Sequence, residues 1–172
     1  YKGSATEVVI PASIVYDDKT YKVALIDGGL FQNNTEITSV AFAEGSQITA
    51  IPDSFMSCAD LRPSGHGNAK SVILPRGIET IGASAFAMYS QNLTTFQIGN
   101  DATCIELTKI KSIGTFGLAN LSTNHLSTKD VKISGALKSI GSEAFKNNRF
   151  GKLVLTAGDY GHISVHSNAF GS

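Results

Sequence analysis

Apolar positions along the chain recur in two alternating arrangements. The first runs as an aliphatic residue, often followed by Gly, then two further residues, a small or apolar residue and a large apolar one. It reads Ile26-Asp-Gly-Gly-Leu30-Phe31, Ile51-Pro-Asp-Ser-Phe55-Met56, Ile81-Gly-Ala-Ser-Ala85-Phe86, Ile113-Gly-Thr-Phe-Gly117-Leu118, Ile140-Gly-Ser-Glu-Ala144-Phe145 and Val165-His-Ser-Asn-Ala169-Phe170. The leading residues lie 25, 30, 32, 27 and 25 positions apart. A period in that range is the mark of stacked repeats.

The second arrangement lies between these copies and alternates with period two: Ile37/Val40/Phe42, Ala69/Val72/Leu74, Leu93/Phe96/Ile98 and Phe150/Leu153/Leu155, with Val8/Ile10 and Val131/Ile133 carrying its last two positions. Period-two apolar positions rich in Val and Ile predict half-buried strands. In the third and fifth copies the two arrangements join in one register, Val72-x-Leu74-x3-Ile78-x2-Ile81-Gly against Val131-x-Ile133-x3-Leu137-x2-Ile140-Gly. The unit is therefore about 23 residues plus insertions.

One unit has an apolar strand face and an apolar turn and cannot bury both by itself; stacked units cover one another at about 4.8 Å per strand. The expected fold is a mainly β repeat solenoid, a right-handed coil of about six units with short parallel strands. The x-x-Ala-Phe stretch is expected to form one helical or 3₁₀ turn, being too short for a longer helix. The large apolar column Phe31, Met56, Phe86, Leu118, Phe145 and Phe170 is expected to form a continuous spine. Gly82, Gly114 and Gly141 are expected to serve either a positive φ or a close approach, although Asp27, Pro52 and His166 stand there in other copies. The whole chain reads as a single solenoid domain, with repeats at about 8–31, 37–56, 69–86, 93–118, 131–145 and 150–170. It opens at Tyr1 without an initiator Met and is expected to be a fragment of a longer protein.

Four insertions interrupt the units. Asp17-Asp18-Lys19, between two extended segments at Tyr16–Tyr21, predicts a β-hairpin. Residues 60–68 form a loop punctuated by Pro and Gly, residues 99–109 lengthen the fourth repeat, and residues 119–129 follow its turn.

Composition narrows the function. The chain has 172 residues, with 14 basic and 14 acidic side chains, 42% hydrophobic and 16% charged. Disorder driven by charge is excluded. A neutral balance argues against nucleic acid as a partner, because that affinity comes largely from phosphate neutralisation. No apolar run is long enough for a membrane span, and two cysteines do not make a disulfide scaffold.

The joined unit Ile73-Leu74-Pro75-Arg-Gly-Ile78-Glu-Thr-Ile81-Gly-Ala-Ser-Ala-Phe86 resembles the BspA-like branch of bacterial leucine-rich repeats, whose pattern is a strand ending in Ile-Pro followed by Val-x-x-Ile-Gly-x-x-Ala-Phe. Val9-Ile10-Pro11 through Tyr21-Lys-Val23-Ala-Leu-Ile26 looks like that family's first repeat with its hairpin insertion. The family's Cys three residues after the Phe is absent; Tyr89 and Asn148 stand there. The resemblance implies a leucine-rich-repeat solenoid in a secreted or surface-displayed bacterial protein, hence an extracellular or cell-surface location, and a role in adhesion to host matrix proteins or other cells.

Candidate chemistry is sparse. Ser84 and Ser142 sit in repeat turns, and Ser84 fails the G-x-S-x-G elbow, so both read as turn residues and not nucleophiles. His162-x3-His166, with Asp159 before it, is the best metal candidate, but zinc needs three or four converging ligands; exposed polar positions are the simpler reading, as for His66 and His125. Cys58 reads as a buried small hydrophobe and Cys104 as an insertion residue, with no C-x-x-C spacing. Asp17-Asp18 reads as a hairpin turn, not a calcium loop. The sequons at Asn33, Asn92 and Asn120 are expected from composition alone. With no Walker loop, dinucleotide fingerprint or paired carboxylates, no enzyme activity, cofactor or metal is expected.

The outward strand positions form the candidate partner-binding face: Val9, Ala41, Ile73, Gln97, Lys132 and Val154 in one column, and Glu7, Ser39, Ser71, Thr95, Asp130 and Lys152 in the next. Val9, Ala41 and Ile73 would leave an apolar strip at one end, unless the hairpin folds over it. The expected function is a non-enzymatic repeat domain binding a protein or glycoprotein. A structural spacer presenting another domain, with no ligand of its own, is the alternative.

Overall fold

The computed structural model describes residues 3–58, 67–87, 93–99, 104–119, 121, 130–133, 136–149, 151–155 and 162–171. Fourteen strands lie in these segments: β1 Glu7–Ile10, β2 Ser13–Tyr16, β3 Lys19–Lys22, β4 Ser39–Phe42, β5 Ala50–Ile51, β6 Ser71–Leu74, β7 Thr80–Ile81, β8 Thr95–Ile98, β9 Cys104–Leu107, β10 Ser112–Ile113, β11 Asp130–Ile133, β12 Ser139–Ile140, β13 Lys152–Leu155 and β14 Ser164–Val165. The four-residue strands stack in parallel on one side as β1-β4-β6-β8 and β9-β11-β13; the two-residue strands stack on another side as β5-β7-β10-β12-β14. The fold is a mainly β repeat solenoid.

Each coil puts its alternate apolar residues inside. Val40, Val72, Phe96, Ile105 and Val131 are buried on the long strands, Ile51, Ile81, Ile113 and Ile140 on the short ones, and Ile48, Ile78, Ile110 and Leu137 between them. Fully burying each such side chain contributes about 1.5–3 kcal/mol. The core is a single cluster running the length of the stack.

The turn after each short strand is not helical. Gly141–Ala144 and Glu143–Lys146 are two overlapping turns closed by N–H to carbonyl bonds of 3.4 and 3.0 Å, and Gly114–Gly117 and Phe116–Ala119 repeat the arrangement at 2.9 and 3.1 Å. The shared residue is left-handed in four coils, with φ of 55° at Ser54, 53° at Ser84, 55° at Phe116 and 52° at Glu143. A helical turn needs φ near −60°, so the expected helical or 3₁₀ turn is corrected to a double turn; the described residues contain no helix. The left-handed residue aims its N–H at the next coil: Ser54 to Ala83 O, Ser84 to Thr115 O, Phe116 to Ser142 O and Glu143 to Asn168 O, at 2.7–3.0 Å. A coil-to-coil bond thus offsets the local strain of about 1–2 kcal/mol.

The glycines that precede these turns do a different job. Gly82, Gly114 and Gly141 do not have positive φ. A Cβ on Gly82 would lie 2.5 Å from Asp53 N, on Gly114 2.6 Å from Ala83 N, and on Gly141 2.6 Å from Thr115 N. Backbone meets backbone here, which settles the two expectations in favour of close approach.

Two further points differ from the sequence reading. The stretch 99–109 is not simply an insertion: it contains β9, which pairs with β11 in register Ile105↔Val131 and Leu107↔Ile133, while β8 pairs back to β6. The fourth repeat therefore contributes two long strands and one short one. The aromatic spine also takes another route. Phe31 packs edge-on against Phe55 at 5.2 Å, Phe55 against Phe86 at 5.9 Å, and Phe86 against Phe96 at 5.4 Å. Phe55 thus replaces Met56 in the aromatic path, and β8 supplies Phe96. Phe145 and Phe170 stack separately at 5.2 Å.

Candidate functional site: the strand face

The outward face of the long strands is built by register. Val9 lies opposite Ala41, Ala41 opposite Ile73, and Ile73 opposite Gln97. In the second sheet Lys132 lies opposite Val154 on one side and Glu106 on the other. The six residues of the expected column therefore form a row of four and a row of two, with Glu106 next to Lys132. Sequence reading missed Glu106 because β9 was taken as insertion. The signal was present: Ile105-x-Leu107-x2-Ile110-x2-Ile113-Gly is the repeat pattern with one residue fewer before its third apolar position.

The face changes character along the stack. Val9 is 62% exposed, and Ala41 and Ile73 are half-buried. Beyond Gln97 the register sets Asp130 against Lys152 and Glu106 against Lys132, so opposite charges are neighbours. At one end the row Val9–Ala41–Ile73 is uncharged, with Glu7 in the next column; at the other, charges of opposite sign lie in register.

The hairpin forms as the sequence predicts. β2 and β3 pair antiparallel, and Asp17 and Asp18, with φ of 49° and 55°, make the two-residue turn that matches strand twist. It does not bury the strip's first residue, since Val9 stays open. Ile14 pairs with Tyr21 and Tyr16 with Lys19, so Ile14, Tyr16 and Tyr21 share one hairpin face, and all three are exposed. The apolar end of the strand face thus has more exposed apolar surface close by in the chain.

The remaining candidates have structural roles. Ser84 and Ser142 take part through their backbone in the coil-to-coil bonds just described. His162 and His166 are both exposed. They flank β14, where an extended chain separates residues four apart by about 13 Å. The imidazole Nδ1 of His166 accepts a bond from Asn168 N at 3.4 Å. Among the described residues no three His, Cys, Asp or Glu side chains gather as metal ligands. Cys58 is a free, buried thiol with its Sγ 3.9 Å from Asn34 O. Burial pushes its pKa up, which leaves it protonated and unreactive at neutral pH. His66, His125, Asp159, Asn92, Asn120 and Phe150 lie outside the described residues.

Asn34 and Asn148 are functional in the architecture and were not foreseen. Asn34 Oδ1 accepts bonds from Glu36 N and Ile37 N, both at 2.9 Å, and so shapes the entry to β4. Asn148 Oδ1 accepts from Leu121 N at 3.1 Å while its Nδ2 donates to Leu118 O, tying one coil to the previous one. Both stand three residues after a repeat Phe, where Phe31-Gln-Asn-Asn34 and Phe145-Lys-Asn-Asn148 share a pattern.

The family comparison agrees with this architecture. A family described as BspA type leucine-rich repeat region, in six copies, matches residues 19–109 and 64–171. No curated protein matches the chain. Among solved structures it is similar to one described as the crystal structure of pneumococcal vaccine antigen PcpA, at 18% identity and a TM-score of 0.48, over 98% of this chain and 42% of that one. The chain spans less than half the length of that antigen's chain.

Proposed function

Because the chain belongs to the BspA-type leucine-rich repeat family, we propose that it is a non-enzymatic domain of a secreted or surface-displayed bacterial protein, binding a protein or glycoprotein in adhesion. Repeat solenoids of this kind bind partners across extended surfaces. The observation that carries the reading is the in-register row Val9–Ala41–Ile73, a strip of uncharged residues on the sheet β1-β4-β6-β8 that begins at the exposed Val9. Exposed apolar strips mark contact surfaces, and the hairpin residues Ile14, Tyr16 and Tyr21, close by in the chain, add further exposed apolar surface. The spacer alternative draws on the second sheet of long strands, where the register sets Glu106 against Lys132 and Asp130 against Lys152.

The test is biolayer interferometry against immobilised fibronectin, fibrinogen, mucin and a glycan panel at physiological salt, with Val9→Asp and Ile73→Asp beside the parent. Saturable binding that drops at least about tenfold in both folded variants is the expected result. Binding unchanged in both variants would remove the strand face from the reading. No binding to any probe would favour the spacer.

A further inference from the structure

The long strands β4 and β6 end in two successive tight turns, and the space between them is a pocket of about 390 Å³. In the first turn Ser46 N–H donates to Ala43 O at 3.1 Å, with φ of 76° at Gly45; in the second Ile78 N–H donates to Pro75 O at 3.4 Å. Phe42, Ile73 and Pro75, each half-buried, supply the apolar part of a mainly polar lining, and its charged groups are Glu44 and Arg76, one from each turn. The volume lies in the range of small-ligand pockets, about 300–1,000 Å³.

Arg76 is positioned, not merely present. Its side chain lies across Gly99, the residue after β8. A Cβ at Gly99 would come within 2.4 Å of Arg76 Cγ and 2.6 Å of Nε. Gly99 itself has φ of 64° and is fixed by its N–H to Leu74 O at 2.7 Å. The backbone of one coil therefore leaves a bare shelf for the arginine of the coil before it. Held there, Arg76 makes no ion pair with Glu44, and neither side chain pairs with any other described residue. A cation and an anion in one cavity that do not pair with each other leave two charged hydrogen-bonding groups beside the apolar side chain of Ile73.

We propose that this pocket binds an acidic peptide segment. A planar guanidinium takes a carboxylate through two parallel N–H···O bonds, so Arg76 receives an Asp or Glu side chain. The adjoining apolar residue lies over Ile73, and Glu44 accepts a backbone N–H of the segment. Ile73 belongs both to this pocket and to the apolar row Val9–Ala41–Ile73, so an extended chain along the row leads into the pocket. The choice of peptide as the source of the carboxylate rests on the protein-binding reading of that row; the carboxylate site itself rests on Arg76 and Gly99.

The experiment is a titration of ¹⁵N-labelled protein with acetyl-Val-Leu-Glu-amide, followed by the amides of Gly45, Gly77 and Gly99, which line the pocket. Saturable shifts at these glycines are expected, weakened about tenfold or more with acetyl-Val-Leu-Gln-amide and in Arg76→Gln. Arg76 is exposed, so that variant is expected to keep the parent spectrum elsewhere, and Arg76→Lys retains part of the affinity. Equal shifts from the Glu and Gln peptides, unchanged shifts in Arg76→Gln, or no shifts at all would overturn the proposal. Methyl glucuronide moving the same amides more strongly than the acidic peptide would overturn the choice of a peptide. The two readings fail separately: Arg76-dependent peptide shifts without macromolecular binding overturn only the strand-face function, and the reverse overturns only the pocket.

Discussion

The long-strand side and the short-strand side of this solenoid present different outward surfaces. On the short strands the outward residues are Ala50, Thr80, Ser112, Ser139 and Ser164, small and nearly uniform from coil to coil. On the long strands they pass from Val9, Ala41 and Ile73 through Gln97 to Glu106, Lys132 and Val154. The difference follows from what lies next to each. Immediately after β7, β10 and β12 the coils close to backbone contact at Gly82, Gly114 and Gly141, and one unit must match the next atom for atom. The long strands have only the ladder to satisfy, so their outward side chains vary without cost. The strand number differs too: among the described residues seven long strands stand against five short ones. One additional long strand arises because β8 and β9 both lie between the short strands β7 and β10.

The strongest way to break this comparison is at β9. If Cys104–Leu107 is a core strand and not a surface insertion, Leu107→Ala costs about 2–5 kcal/mol, measured by urea unfolding; a change under about 0.5 kcal/mol would return 99–109 to the surface. Next is the glycine shelf. Gly114→Ala forces a Cβ against Ala83 backbone and is expected to cost about 3 kcal/mol, whereas Ser112→Ala, two residues away on the uniform face, stays within about 0.5 kcal/mol. Equal losses from the two substitutions would mean that the close approach is not what constrains this side. The smallest effect has the opposite sign. Ser84→Gly relieves a left-handed φ while keeping the N–H to Thr115 O, and is expected to raise stability by about 1 kcal/mol, seen as a higher Tm; a loss would show that the Ser84 side chain matters more than its backbone.

Several levels were legible before any coordinates. The spacing of Ile51, Ile81, Ile113 and Ile140 marks the repeat and its buried positions, but not that each of them ends a two-residue strand of a further sheet. Period-two alternation located β4, β6, β8 and β11, and Asp17-Asp18 located the hairpin turn. The outward column was readable too, because a strand with one buried face fixes its register. What failed were choices between local patterns that look alike. Leu93–Ile98 and Ile105–Leu107 both alternate, and only pairing with Val131 and Ile133 shows that the second carries the repeat forward. Local reasoning places Gly where φ is positive, yet here Ser84 and Glu143 take the left-handed turn. The glycines two residues earlier make room for the neighbouring coil.

The sequence by itself thus determined the repeat, its length, its buried positions and the direction in which each strand side chain points, because all of these are periodic properties of one chain segment. Only the tertiary structure decided which strand follows which, why a glycine is needed, and that Arg76 lies over Gly99 beside Glu44. Those are contacts between backbones and side chains more than twenty residues apart, and no local pattern specifies which two coils will touch.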